Sequence, residues 1–536
     1  MKIVKNNNHI YLLVLLLLLI PSQILMLKKP LYPSHDGLLH VMRIEQFHQA
    51  IIEGQIPPRI APTFADNIGF PIFIVNYQLP YFLAEPFMLT TNDPIFAFKS
   101  VMIITYLLSG VFSFLLFKNF GSNLASLTGS ILFCYTPYRF ANLFTRGALG
   151  ESVSIMFVPL VLLALHLVAK KKKFSTLLLI ISIFGLITSH SVIFLLFLPF
   201  FIFYIIIFLK LNRQILINIL FGVIFGILLS SFQLLPAIFE KQYTQFESFL
   251  NLYGGHFIGI NQLFRIPKSG ITPSSPFQIG LVSSLTVLLS LIFSLFRKNV
   301  PVLFFLIMIF LSIFAIHSSS LWFWDHIFFL KYINFPWRFL SIVVISTAFL
   351  SVYLVNQTRF KMIAFFLITL ALFTSRHYFL YPTQYESTLP TQVPTFPNEY
   401  DTIWSNENTF QERPFITVYP TAQVTNFEQK KINISFKLKT SVPTEIIIRK
   451  LYFPGWKIKI NGLNHTLDQR DGLISFDTGS GEWSVDIYFS NTPIRKFANA
   501  LSIVALLSIL ILFSKIPILK NKPNNLFRVK NYFRMG

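Results

Sequence analysis

The sequence predicts a mainly α-helical polytopic membrane protein with a small extracytoplasmic β-sandwich domain placed before its last transmembrane helix. Three observations predict it. Of 536 residues, 54% are hydrophobic and only 12% are charged, with 62 Phe and a mean hydropathy of +0.61; an average soluble domain is roughly one-quarter charged. Apolar runs close to the ~20 residues that cross hydrocarbon recur along the chain. One long segment, 376–495, breaks this composition and reads as alternating strands.

The runs place about twelve spans, near 10–27, 100–117, 120–137, 153–169, 174–188, 192–209, 215–236, 279–296, 300–316, 339–355, 362–375 and 497–514. The stretch between Lys173 and Lys210 holds no Asp, Glu, Lys or Arg. At ~1.5 Å per residue it is too long for one crossing. It is therefore divided at Thr188-Ser189-His190-Ser191 into two short helices meeting at a polar corner. Lys2 and Lys5 precede a Leu-rich core without a small-residue cleavage site, so residues 1–27 are read as a retained first span. The single cysteine, Cys134, falls inside a predicted span, and no disulfide framework is expected.

Basic residues set the orientation, because Lys and Arg are retained on the cytoplasmic side. With a cytoplasmic N-terminus, the inner segments hold 19 of the 44 basic residues and none of the 22 acids. The net charge of +22 then reflects topology, and no nucleic-acid partner is expected. Both termini are placed in the cytoplasm of a bacterial cell, and the chain in its cytoplasmic membrane.

The domain plan follows. Residues 1–375 form a transmembrane domain with external loops 28–99 and 240–278, and 376–495 form an external soluble domain. The final span covers 496–514, and 515–536 is a basic cytoplasmic tail. Between 376 and 494 there are 11 basic and 12 acidic residues, so this part is nearly neutral. Pro382, Pro390, Pro394, Pro397, Pro414 and Pro420 mark an extended connection, and the β-rich part begins at about 420. Alternation through Lys431–Lys439, Glu445–Ile448, Trp456–Ile460 and Gly481–Phe489 predicts strands. Pro454-Gly455, Asn461-Gly462, Asp471-Gly472 and Gly479-Ser480-Gly481 supply the turns. The first external loop, rich in Pro, Gly, Phe and Tyr, is expected to lie on the membrane surface.

The chemistry concentrates after the first span, in Pro33-Ser34-His35-Asp36-Gly37-Leu38-Leu39-His40-Val41-Met42-Arg43. If Ser34 caps a helix, Asp36, His40, Arg43 and Phe47 share one face. A carboxylate, an imidazole and a guanidinium then point at one locus. Arg59, Glu85, Arg139, Arg146, Glu151, His190, Glu240, Asp325, His326 and Arg338 recur at the external ends of other spans. Burying such groups at the membrane centre costs about 2.5–3.5 kcal/mol each, which favours an outer-leaflet cavity over scattered snorkelling.

Asp36 and His40 are the catalytic candidates. Arg43, Arg59, Arg146, Glu151, His190, Trp337 and Arg338 are the candidates for binding substrate or phosphate. Each has a plainer role beside it. Asp36 is also a favourable charge at a helix start, and His40 is also a group that holds a carboxylate or carbonyl. Arg43 and Arg59 suit either bidentate phosphate binding or lipid headgroups. Arg146 and Glu151 equally suit an internal pair that orders their loop, His190 a satisfied polar group, and Trp337-Arg338 a membrane anchor. No metal-ligand spacing stands out; a divalent ion at His35, Asp36 and His40 lacks a supporting motif, and no cofactor is required. Walker, dinucleotide and nucleophile-elbow patterns are absent from the sequence.

These residues, with Gly54…Pro57-Pro58-Arg59, Gly69-Phe70-Pro71, Arg146-Gly147-Ala148…Glu151, Leu235-Pro236…Glu240 and Phe335-Pro336-Trp337-Arg338, resemble bacterial membrane proteins labelled 6-pyruvoyl-tetrahydropterin-synthase-related. Nothing in them looks like a pterin enzyme. Tyr452-Phe453-Pro454-Gly455-Trp456-Lys457, followed by Asn461-Gly462 and a final span, is similar to the YfhO-like branch. Both are grouped with GT-C-type polytopic glycosyltransferases. The resemblance covers nearly the whole chain. It implies transfer of a sugar from a lipid-linked, polyprenyl-phosphate donor to a glycan, lipid or protein acceptor at the external face. It also implies an acid in the first external loop as base, which by position is Asp36. GT-C enzymes with a paired-acid metal motif differ here, where the pair is His35-Asp36.

One carboxylate and several Arg suit that reaction, since the sugar already carries a phosphate leaving group. A flippase or transporter of lipid-linked glycans is the competing reading, and a non-catalytic envelope-assembly scaffold a third. A transporter would place ionisable groups near the mid-membrane on paired interrupted helices. Here only the corner at Ser189-His190 has that look.

Overall fold

The computed structural model describes residues 8–28, 31–245, 250, 252–264, 277–296, 299–357, 361–376, 378, 400–430 and 432–514. Its main helices are α1 (Asn8–Leu27), α2 (Gly37–Ile52), α3 (Leu79–Thr91), α4 (Pro94–Phe117), α5 (Asn123–Cys134), α6 (Leu149–Ala169) and α7 (Ser175–Phe208). They continue with α8 (Arg213–Leu229), α9 (Ser231–Glu240), α10 (Leu281–Phe296), α11 (Val300–Ile316), α12 (Pro336–Gln357), α13 (Met362–Ser375) and α14 (Pro493–Ser514). Every apolar segment expected from the sequence contains a helix. Several start at a side-chain cap: Asp93 accepts from the Ile95 and Phe96 amides, Ser122 from Ala125, Asn212 from Ile215 and Asn299 from Val302.

Six helices, α1, α4, α6, α7, α12 and α14, are long and apolar enough to cross a membrane. The number rises to eight if two bent pairs are single spans: α8 with Ser231–Tyr243 at 65°, and α11 with Ser318–His326 at 88°. The helices α5, α10 and α13 are apolar but shorter. The two helices expected between Lys173 and Lys210 form one run of 34 residues, and its backbone leaves helical geometry only at His190. The Thr188 and Ser189 hydroxyls donate back to the Phe184 and Gly185 carbonyls just before the break. Such back-bonding bends helices. The helices α6 and α12 are the most enclosed; α6 packs between α4 and α7, and α12 against α5 and α11.

The chain then builds β1 (Ile416–Tyr419), β2 (Gln423–Lys430), β3 (Asn433–Thr440), β4 (Thr444–Leu451), β5 (Trp456–Ile460), β6 (Leu463–His465), β7 (Asp468–Arg470), β8 (Leu473–Thr478) and β9 (Gly481–Phe489). These form two antiparallel sheets, in the orders β1-β4-β8-β7 and β2-β3-β9-β5-β6. Asn461-Gly462 and Asp471-Gly472 take φ of 49° and 79°, and 54° and 74°. That is the geometry of the primed turns their sequence predicts. Ile434, Phe436 and Leu438 of one sheet and Ile446, Ile448, Ile474 and Phe476 of the other share one apolar core. The extended connection expected through Pro382, Pro390, Pro394 and Pro397, and the basic tail 515–536, lie outside the described residues.

Part of the segment 28–99 packs against the two sheets. Ile60 enters the core of the two sheets, the Leu451 amide donates to the Ile68 carbonyl at 3.2 Å, and Arg449 pairs with Asp66 at 2.7 Å. Phe70 stacks on Phe410, 5.9 Å between centroids. A second seam runs beside it, where Gln245 donates to the Asp401 carbonyl at 2.9 Å and Ile403 to Tyr243 at 3.1 Å.

Candidate functional site

The site begins with two backbone hydrogen bonds between distant segments. The His35 amide donates to Thr145 at 3.0 Å and the Asp36 amide to Arg146 at 2.7 Å. This approach needs a glycine at 147, where φ is +64° and a β-carbon would stand 2.8 Å from Gly37 backbone atoms. Because residues 35 and 36 are committed to that pairing, α2 starts at Gly37, and Ser34 does not cap it. Asp36 occupies the N-cap position, yet its side chain makes no capping bond. The carboxylate turns instead toward Arg146, with Oδ2 and Nη2 4.0 Å apart, and stays 25% exposed.

Arg146 is held from behind by Glu151, a carboxylate only 1% exposed, at 2.7 Å. Asn142 donates to Glu151 at 3.0 Å, and Tyr138 donates to the same carboxylate. Asn142 also accepts from Arg146 at 2.8 Å. Residues Ala141–Arg146 form a π-helical turn, which widens the spiral enough to place these groups together. Arg338, at the start of α12, brings Nε to 3.8 Å from Glu151. Its Nη1 donates to the Ile333 carbonyl at 2.5 Å. Glu151 is therefore surrounded by donors, while Asp36 is the carboxylate of this cluster that solvent reaches.

His40 is buried one turn along α2, with Nδ1 3.2 Å from the Tyr81 hydroxyl and Nε2 3.4 Å from that of Tyr77. Burial holds its imidazole well below the usual histidine range, and Arg43 and Arg146 push it further down. The ring of Tyr77 also stacks on His190, 5.3 Å between centroids. Arg338, Glu151 and Arg146 lie within electrostatic reach of His190. Arg43 lies 5.1 Å from the centre of the Tyr400 ring, a cation–π distance.

The structure thus gathers Asp36, His40, Arg43, Arg146, Glu151, His190 and Arg338 in one polar cluster. Two expected members stand apart from it. Trp337 is stacked between Phe277 at 4.4 Å and Phe335 at 4.5 Å. Arg59 donates to Asn499 of α14 at 2.9 Å, near Glu240 and Arg495. Tyr138, Asn142 and Tyr77 belong to the cluster but were not among the expected residues. The four-residue spacing of Asn142 and Arg146 was a usable signal for one of them; Tyr77 carried none. Among the described residues, no three His, Cys, Asp or Glu side chains gather as a metal site would need.

Fold and site together define a polytopic membrane protein whose bundle of apolar helices carries a two-sheet domain and holds an arginine-rich polar cluster. The chain belongs to the 6-pyruvoyl-tetrahydropterin synthase related family of membrane proteins, whose sequence profile matches residues 75–381. The matched region includes Tyr77, Glu151, His190 and Arg338, and ends before the strands. No curated protein matches this chain.

Proposed function

We propose that the chain is a GT-C-type membrane glycosyltransferase that moves a sugar from a polyprenyl-phosphate donor to an envelope acceptor at the external face of a bacterial cytoplasmic membrane. In this reading the bundle crosses the membrane about twelve times, both termini are cytoplasmic, and the two sheets form a β-sandwich cap. The observation that carries the proposal is the half-open Asp36 carboxylate beside an arginine that Glu151 holds from behind. An acid that is accessible and flanked by fixed positive charge suits proton transfer next to a phosphate.

The acceptor hydroxyl gives its proton to Asp36 as its oxygen bonds the anomeric carbon. The bond from that carbon to the phosphate oxygen breaks, and its electron pair leaves with the polyprenyl phosphate. A single displacement inverts the anomeric centre. Glu151 is a poor base here, because Arg146, Asn142 and Tyr138 already take its oxygens. His40 stays neutral and orients Tyr77 and Tyr81, so its role is to position groups around the acid. Arg43 and Arg146 offset the phosphate charge from the Asp36 side.

A transporter of lipid-linked glycans keeps one observation in its favour, the interruption of α7 at His190. Purified protein in lipid nanodiscs with a polyprenyl-phosphate hexose and a saccharide acceptor separates the two. Product formation that disappears in Asp36→Asn supports the transferase. Movement of the lipid across a bilayer without any new glycosidic bond sinks it.

A further inference from the structure

Among the described residues, enclosed nitrogens on two helices of the cluster make no hydrogen bond to a protein acceptor. Among the described residues, Nδ1 of His190 and Nε of Arg338 meet no full hydrogen-bond geometry, the His190 ring having only its own backbone carbonyl nearby, and these side chains belong to residues only 9% and 7% exposed. A buried donor without an acceptor is costly, so native structures supply one from protein, water or ligand. The two come from different helices, α7 and α12, and Glu151 faces both. Its oxygens are occupied by Arg146, Asn142 and Tyr138, and Arg338 Nε stops 3.8 Å short of it.

Charge favours an anion as the missing acceptor. In the cluster three guanidinium groups, Arg43, Arg146 and Arg338, stand with two carboxylates, Asp36 and Glu151. The backbone break at His190, with φ −168° and ψ 93°, also makes the rest of α7 a half-helix starting at this point. The positive end of its dipole adds to the field.

We propose that His190 and Arg338 form an oxyanion site that takes the phosphate of the carrier lipid, each donating one N–H to a phosphate oxygen. The identity of the lipid rests on the transferase reading. The site lies at the opposite end of the chain Asp36, Arg146, Glu151, Arg338 from the base. It receives the charge that grows on the phosphate as the bond to the sugar breaks, and no proton moves through it. His190 serves as its Nδ1–H tautomer, with the ring set by stacking on Tyr77.

Binding of polyprenyl phosphate to the full-length protein in nanodiscs tests this, with polyprenol lacking phosphate as the reference ligand. The His190→Leu variant is expected to bind polyprenyl phosphate about tenfold or more weakly, the usual scale for a hydrogen bond to a charged group, with polyprenol binding unchanged. His190→Asn, which keeps a donor near the Nδ1 position, is expected to restore most of the affinity. Arg338→Lys, which keeps the charge and loses Nε, is expected to weaken binding like His190→Leu, and it carries the test if the leucine variant does not fold. Wild-type affinity in both His190→Leu and Arg338→Lys overturns the proposal. Competition by inorganic phosphate but not by phosphatidylglycerol supports it, whereas equal competition by phosphatidylglycerol assigns the site to an ordinary headgroup and overturns the carrier assignment. Asp36→Asn separates this from the transferase reading: full transfer by that variant sinks the reading, while the His190 affinities still decide the anion site.

Discussion

The guanidinium of Arg495 fills the space that a side chain at Gly455 would need: Nη1 lies 2.8 Å from where a β-carbon on that glycine would stand. Gly455 takes φ of 123°, a conformation that L side chains rarely adopt. Arg495 uses the opening to reach three elements. Its Nε pairs with Glu240 of α9 at 2.7 Å, its Nη2 donates to the Pro454 carbonyl at 2.7 Å, and its plane lies 5.0 Å from the Phe489 ring. The last helix α14, the helix α9 and the two-sheet domain are thereby fastened at one buried residue.

Removing that fastening will destabilise the whole arrangement. Arg495→Ala leaves Glu240 buried with the Thr492 hydroxyl but without its charged partner, a loss of about 3–5 kcal/mol. Gly455→Val meets both the φ requirement and the guanidinium, and about 2 kcal/mol or more is expected. Thermal unfolding in detergent measures both. The double variant Arg495→Ala with Glu240→Ala should cost less than the two single losses combined, because each single leaves an unpaired charge.

Asp36 and Glu151 will separate in opposite ways. Asp36→Asn should lower sugar transfer about 10²–10⁴-fold and change stability by no more than about 0.5 kcal/mol, as at a partly exposed site. Glu151→Gln leaves Arg146 and Arg338 facing each other across a neutral group, and about 3 kcal/mol of stability should go with it. Melting temperatures and transfer rates measured on the same preparations decide; an Asp36→Asn variant that melts far below wild type contradicts the assignment.

The His40 imidazole gives a signed pH dependence. Burial lowers its affinity for a proton in the folded chain, while in the unfolded chain it titrates near 6.5. The unfolded state therefore binds more protons as pH falls below about 6.5, and stability declines toward acid from a full value above that pH. Unfolding midpoints from pH 7.5 to 5 should fall less steeply in His40→Gln than in wild type. Equal slopes would show that other groups carry the acid response.

Gly147 should act on the site without touching it. Gly147→Ala forces a β-carbon against Gly37 and places an L-residue at φ +64°, at a cost of about 1–2 kcal/mol for the conformation alone. Parting the two backbone segments moves Asp36 away from Arg146. Transfer should therefore drop more than global stability, as seen by comparing rate with melting midpoint.

Much of this was legible along the chain. The helix face shared by His40 and Arg43, the break near His190, the strands from 433 onward and the turns at Asn461-Gly462 and Asp471-Gly472 all follow from local rules of spacing and φ. The pairing of Arg146 with Glu151 was visible as one of two open readings. The helix start at Gly37 was not, because it depends on the amides of His35 and Asp36 being taken by residues 145 and 146. Tyr77 gave no sign of its place between two histidines, and Arg59 belongs beside α14 rather than beside Asp36.

That this chain lives among lipids, where its helices lie, and which residues are too polar for their surroundings could all be read from residue order alone. Those properties come from hydrophobic runs, caps and turns, whose energies act over a few residues. Which buried charges meet depends on how the helices pack in three dimensions. Arg338 reaches Glu151 and Arg495 reaches Glu240 from far along the chain, the latter across 255 residues. Such pairs are set by which helices become neighbours, and the cost of leaving either charge alone in a dry interior then fixes the partner.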